Sequence, residues 1–222
     1  MPKYMIHACH KRLWYVNDFL IPSMLAQGIP RTDIFVWLDW TGAGNLISCV
    51  DSFRACGLLP GGTWHMQDDV ILSRRFAELT AEYDDGLVCG FGNEDFGPSM
   101  QEQGLQPASF MWNGFQCLRI PNTLAEEFSH WFYTDAQKRP GDYQRFVQEK
   151  KYDDTFFRDF ILERHRDMQV MNLVPNVADH VDFIIGGSVI NVGRQKLVYR
   201  SAFWEDEELV EALQAAVELR HK

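Results

Sequence analysis

Gly61-Gly-Thr-Trp-His-Met-Gln-Asp-Asp-Val-Ile-Leu-Ser-Arg-Arg-Phe76 is the stretch on which the reading of this 222-residue chain turns. The apolar positions Trp64, Met66, Val70, Ile71 and Leu72 bracket two adjacent carboxylates, Asp68 and Asp69, a costly setting for negative charge unless something there needs it. A strand that runs out of a core and ends in acids delivers oxygen ligands to the carboxyl edge of a sheet, where open α/β folds bind their ligands. Hard cations such as Mg²⁺ and Mn²⁺ prefer oxygen ligands and complete their shells with waters and substrate phosphates. The pair therefore suggests a metal-diphosphate site. It equally suits a turn, or the cap of a helix entering at Ser73.

The flanking chain supplies the frame for such a strand. Tyr4 to Cys9 reads as a buried opening strand, followed by an amphipathic stretch through Trp14, Phe19, Leu20 and Leu25 that Pro22 kinks or restarts and Gly28 ends. Ile34 to Leu38 is a second apolar run, closed by Asp39; Asn45 then caps a helix carrying Leu46, Cys49, Val50 and Phe53, with Gly57 as its stop. The next strand is Trp64 to Asp69. Strand, helix, strand, helix, strand in this order predicts an α/β fold, a single Rossmann-like domain with a mixed, mainly parallel sheet flanked by helices.

Downstream, Arg74 to Tyr83 predicts a helix, Leu87 to Phe91 a strand, Gly92 to Gln106 a long loop, and Pro121-Asn122-Thr123 the start of a helix that buries Leu124, Phe128 and Phe132. Trp112 and Phe115 read as core or as sugar-stacking surfaces. In Tyr152-Asp153-Asp154-Thr155-Phe156-Phe157-Arg158-Asp159-Phe160-Ile161 the apolar residues define one helical face, and Asp153 projects onto its centre while Asp159 points away. Asp153 is then either an acid aimed at the sheet edge or an N-cap. A short strand around Leu173, the turn Pro175-Asn176, and His180 between acids ahead of Gly186-Gly187-Ser188 follow. An imidazole beside a carboxylate suits a metal ligand held in one tautomer, and a satisfied histidine equally. The chain closes with an amphipathic helix through Leu209, Val210, Leu213 and Val217.

Composition narrows the partners. Lys+Arg 21 against Asp+Glu 31 gives a formal charge of -10, and basic residues occur only as the pairs Arg74-Arg75 and Lys150-Lys151, so no nucleic acid is expected as partner. No membrane span or secretion leader is legible, and a cytoplasmic location is expected. Cys9, Cys49, Cys56, Cys89 and Cys117 are widely spread, which reads as reduced core thiols.

This order of elements, with an acid pair ending a strand, an Asp-Asp helix start and a late Pro-Asn-x-x-x-His followed by Gly and Ser, resembles the GT-A type of metal-dependent nucleotide-sugar glycosyltransferases. It is also similar to uncharacterised bacterial and prophage-encoded proteins. The resemblance implies a nucleotide-sugar donor, an acceptor hydroxyl, and Mn²⁺ or Mg²⁺ as cofactor. The D-x-D positions of that family fall on Gln67, Asp68 and Asp69, with an amide replacing the leading acid. By the same resemblance Asp69 and His180 would ligate the metal, Asp68 would contact the donor sugar or the metal through water, and Asp153, with Asp154 beside it, would be the base of an inverting transfer. His7, Arg12 and Asp39, together with Gln67, would hold the nucleotide. Residues 1–92 would form the nucleotide and metal half, 107–200 the acceptor half, and 201–222 a C-terminal helix. A metal-dependent phosphohydrolase or nuclease could use the same acids and histidine. An inactive GT-A scaffold serving as a binding or phage-associated protein is the remaining alternative.

Overall fold

In the computed structural model, described over residues 2–83, 86–92, 104–108, 115–149, 153–186 and 206–220, the opening strand β1 (Lys3–Ala8) lies between β2 (Ile34–Leu38) and β3 (Gly62–Gln67), parallel to both. Alternation along β1 sorts its side chains. Tyr4, Ile6 and Ala8 enter one core layer with Trp64 and Met66, and Met5 enters the other with Cys49 and Phe53.

The first layer is covered by helical chain from His10 to Ala26, comprising a 3₁₀ turn, α1 (Leu13–Tyr15), a π-helical turn over Val16–Leu20 and α2 (Ile21–Ala26). Pro22 in the first turn of α2 has no N–H to return to the preceding turn, which accounts for the wider turn just before it. The second layer is covered by α3 (Asn45–Gly57). Asn45 is the first residue of that helix rather than its cap: the carboxylate of Asp39 closes the entry instead, accepting the N–H groups of Ala43 at 3.0 Å and Gly44 at 3.1 Å.

The strand expected over Trp64 to Asp69 stops two residues short, ahead of its acids. β3 ends at Gln67, Asp68 and Asp69 form a turn, and β4 (Val70–Leu72) leaves the main sheet. After α4 (Phe76–Ala81) and β5 (Leu87–Cys89), the expected loop 92–106 contains β6 (Gly104–Pro107), held by antiparallel pairing to β8 (Val170–Val174). Residues 93–103 of that loop, Trp112 and Ser188 lie outside the described residues. β7 (Cys117–Pro121) pairs antiparallel with β3 and β5, and so joins both halves of the chain in one seven-stranded sheet of order β2-β1-β3-β7-β5-β8-β6. Five strands run one way and β7 and β6 the other, a mixed, mainly parallel sheet.

α5 (Asn122–Thr134) packs beside α3, and after α6 (Asp142–Glu149) the helix α7 (Asp153–Arg164) buries Phe157 against Phe53 and Phe128, Phe160 against Phe128 and Phe156 against Phe132. Phe115 also lies in this layer. β9 (Ala178–His180) pairs antiparallel with β4 as a separate two-stranded ribbon, followed by α8 (Asp182–Ile185). The closing helix α9 (Glu207–Arg220) returns to the first layer through Leu213 and Val217, and Arg220 lies over the Trp14 ring at 4.4 Å.

Candidate functional site

The turn after β3 stands at the carboxyl edge of the sheet, and its two acids are nearly sealed from solvent, at 2% and 6% exposure for Asp68 and Asp69. Two elements hold them there. The loop after β1 contributes the Cys9 N–H, which donates to Asp68 Oδ2 at 2.6 Å, and the buried Arg12, whose guanidinium spans the pair: Nη2 lies 2.9 Å from Asp68 Oδ1 and Nη1 pairs with Asp69 Oδ2. The ribbon contributes His180. Register places Val70 opposite His180, the Val181 N–H donates to the Asp69 carbonyl at 2.8 Å, and His180 Nε2 lies 3.1 Å from Asp69 Oδ2. Tyr15 fixes the start of β4 by donating to the Val70 carbonyl at 2.8 Å.

The two carboxyls titrate apart. Burial raises both, but Arg12 and then His180 overcome it at Asp69 and hold that carboxyl well below its usual range. At Asp68 burial prevails over Arg12, and with the Asp69 charge beside it the carboxyl rises to about 6. Burial lowers His180, and Asp69 more than reverses this, so its imidazole is raised. As for a divalent metal, Asp68 has both oxygens engaged, whereas Asp69 Oδ1 is buried without a hydrogen-bond partner. His180 Nε2 is turned to Asp69 Oδ2, so it would join that oxygen as a second protein ligand only on giving up its proton; the pair would then fit Mn²⁺ or Mg²⁺ with phosphates and waters completing the shell.

A second polar cluster lies on the α3 face of the same strands. Gln67 Nε2 donates to Asp153 Oδ2 at 3.3 Å, so the first residue of α7 meets the end of β3. Asp153 is 5% exposed and also accepts the Cys49 thiol. Burial, then Asp154, raises its carboxyl to about 7, against the Cys49 thiol and backbone N–H groups that lower it. Asp154 itself accepts the Thr155 N–H at 2.7 Å. His7, on the same strand face, is bonded through Nε2 to Ser48 Oγ at 2.9 Å and is held near 4 by burial and by Arg12. His7, Cys49 and His65 each bring one potential ligand atom within 4.8 Å of the others, all three buried.

The sequence-derived residues therefore separate into three groups. Arg12, Asp68, Asp69 and His180 form one network, and Gln67, Asp153 and His7 border the second. Asp39 serves the α3 entry, where burial works against ionisation and the Gly44 and Ala43 N–H groups outweigh it, leaving the carboxyl lowered. Arg12, expected to hold a nucleotide, has its guanidinium on the two aspartates. Cys49 and His65 were not anticipated as site residues. The period-two pattern was the available signal, because His65 shares a strand face with Gln67 and so cannot belong with Trp64 and Met66.

Among the described residues, no helix is long and apolar enough to cross a membrane, and the five cysteines are free thiols. No family model matches the chain, and no curated protein matches it. Among solved structures it is similar to the crystal structure of HddC from Yersinia pseudotuberculosis, with 12% identity and a TM-score of 0.32 over 68% of this chain and 100% of that chain. A likeness at that level carries no argument about function.

Proposed function

We propose that this chain is a GT-A type glycosyltransferase, moving a sugar from a nucleoside-diphosphate donor to an acceptor hydroxyl. The reading is carried by one observation: the turn ending β3 brings together, within a few residues, an Asp69–His180 pair and a Gln67–Asp153 pair, at 3.1 and 3.3 Å. Asp69 and His180 would hold Mn²⁺ or Mg²⁺, which when bound offsets charge on the leaving diphosphate. Arg12 adds a fixed positive charge at the same edge. Asp153 takes the proton of the acceptor hydroxyl as its oxygen bonds to the sugar carbon, and the bond from that carbon to the diphosphate breaks. A carboxyl raised to about 7 is basic enough to do so near neutrality. Gln67 orients that carboxylate and retains one amide N–H and its oxygen for hydroxyls.

The test is a thermal-shift screen of nucleoside-diphosphate sugars with and without Mn²⁺, followed by detection of released nucleoside diphosphate with candidate acceptors. Stabilisation by a donor together with turnover supports the transferase; absence of any donor effect rejects it. One observation favours a second reading, an inactive scaffold that binds its ligand without metal: Arg12 already balances the acid pair and leaves only Asp69 Oδ1 unpartnered. That protein would be stabilised by donor equally in chelator and in Mn²⁺, and would show no turnover.

A further inference from the structure

Cys49 and His65 have no assigned task in the transfer chemistry, and His7, expected to hold the nucleotide, is instead buried with its Nε2 on Ser48; the three bring soft or borderline ligand atoms within 4.8 Å of one another between β1, β3 and α3. We propose that they form a Zn²⁺-class transition-metal site, separate from the Asp69–His180 edge and independent of the transferase reading.

The hydrogen bonds around His65 point to a ligand. Ser52 Oγ lies 2.6 Å from the Cys49 carbonyl and donates its only proton there, while the same oxygen lies 2.7 Å from His65 Nε2. Ser52 must therefore accept from His65, which fixes the proton on Nε2 and leaves Nδ1 with a bare electron pair. That Nδ1 is fully buried and has no hydrogen-bond partner, an arrangement that costs about 1–3 kcal/mol unless something occupies it. The Phe53 ring, stacked on His65 at 4.3 Å, fixes the plane of the imidazole. His7 is likewise anchored, by Ser48, and the two imidazole centroids are 6.0 Å apart. A hydrogen bond at the outer nitrogen orients a ligating histidine, and here serine hydroxyls fill the place usually taken by a carboxylate, a carbonyl or water.

The donor set selects the metal. Two imidazoles and a thiolate suit Zn²⁺ or Co²⁺ and not the oxygen-seeking Mg²⁺. On binding, Cys49 loses its thiol proton to solvent, the neutral histidines lose none, and a water completes a tetrahedral shell. The remaining positive charge faces Asp153, the carboxylate that otherwise accepts the Cys49 thiol.

Cobalt titration of the metal-free full-length chain tests this. The expected result is a thiolate-to-cobalt charge-transfer band that saturates at one equivalent, whatever cobalt the Asp69–His180 edge also takes; the band is abolished in Cys49→Ser, weakened at least tenfold in affinity in His65→Gln, and retained in Asp69→Asn. Because a core variant can fail to fold, the wild-type chain is also loaded with Zn²⁺ and examined by X-ray absorption. One sulfur near 2.3 Å with nitrogen or oxygen neighbours at about 2.0–2.1 Å is expected. A sulfur-free shell, a band that persists in a folded Cys49→Ser chain, or no binding of either ion overturns the proposal.

Discussion

His180 Nε2 meets Asp69 Oδ2 at 3.1 Å because each residue stands at the same end of a three-residue ribbon, one on β9 and one immediately before β4. Asn at position 69 would keep one oxygen for Arg12 or His180 but would lose the charge that both respond to. Asp69→Asn is therefore expected to retain the fold and to lose most of the Mn²⁺-dependent part of a donor-induced rise in melting temperature. Calorimetry with unchanged donor and metal affinity in that variant would remove Asp69 from the ligand set.

Asp153→Asn separates a base from a helix cap. If Asp153 takes the acceptor proton, turnover falls by about 10²–10⁴-fold with donor affinity intact. If it only accepts backbone N–H groups in the first turn of α7, Asn serves nearly as well and both activity and stability survive. Turnover and melting temperature measured on the same preparation decide between them.

The pH dependence follows from the same carboxyl. A base acts when unprotonated, so turnover of the metal-free chain, supplied with Mn²⁺ only, should climb as pH rises through about 7. Folding responds in the opposite direction. The folded chain holds this proton up to about 7, whereas the unfolded carboxyl titrates near 3.8, so the stabilisation is complete below that lower value and is lost as pH rises to the upper one. Asp153→Asn should accordingly melt higher than the wild type at pH 8, a comparison scanning calorimetry can make directly.

Arg12 is the cation between two buried acids, and its removal leaves both without their main counter-charge. Arg12→Ala should cost about 3–5 kcal/mol in denaturant unfolding, the usual cost of breaking a buried ion pair from one side. Arg12→Lys should recover only part of it, since an ammonium cannot span both carboxylates as the planar guanidinium does.

Gly90 carries the next prediction. A β-carbon there would stand 2.7 Å from Val177 Cγ2 and 3.1 Å from Trp64, and the Gly90 backbone bonds to Cys117 and Val177 at 2.9 Å each, so the chain cannot retreat. Gly90→Ala should destabilise by about 1–3 kcal/mol, with a matching drop in the urea midpoint.

Much of the frame was legible because it depends on local pattern. The spacing of Leu46, Cys49, Val50 and Phe53 and of Phe156, Phe157 and Phe160 locates α3 and α7, and the order strand, helix, strand, helix, strand predicts the parallel core. β6 was not legible, because Gly104–Pro107 has little strand character of its own and is held by its partner β8. β4 is illegible for a related reason: the strand is expected to end at Asp69, and Val70–Leu72 becomes a strand only by pairing with β9, more than a hundred residues later. Arg12 on the acid pair and Ser52 on His65 are contacts between elements, which periodicity within either element does not encode.

The ribbon of β4 and β9 has a last implication. Its register is pinned on both sides, by the Ser73 N–H on the Val177 carbonyl at 2.9 Å and the Val181 N–H on the Asp69 carbonyl at 2.8 Å. Side chains on a strand change face at every step, so adding or deleting one residue between Val177 and His180 would turn the imidazole to the opposite side. A change of two residues would preserve parity but carry His180 about 7 Å along the ribbon. The ribbon is thus a ruler, and the number of residues between its two pinned ends decides where the imidazole stands.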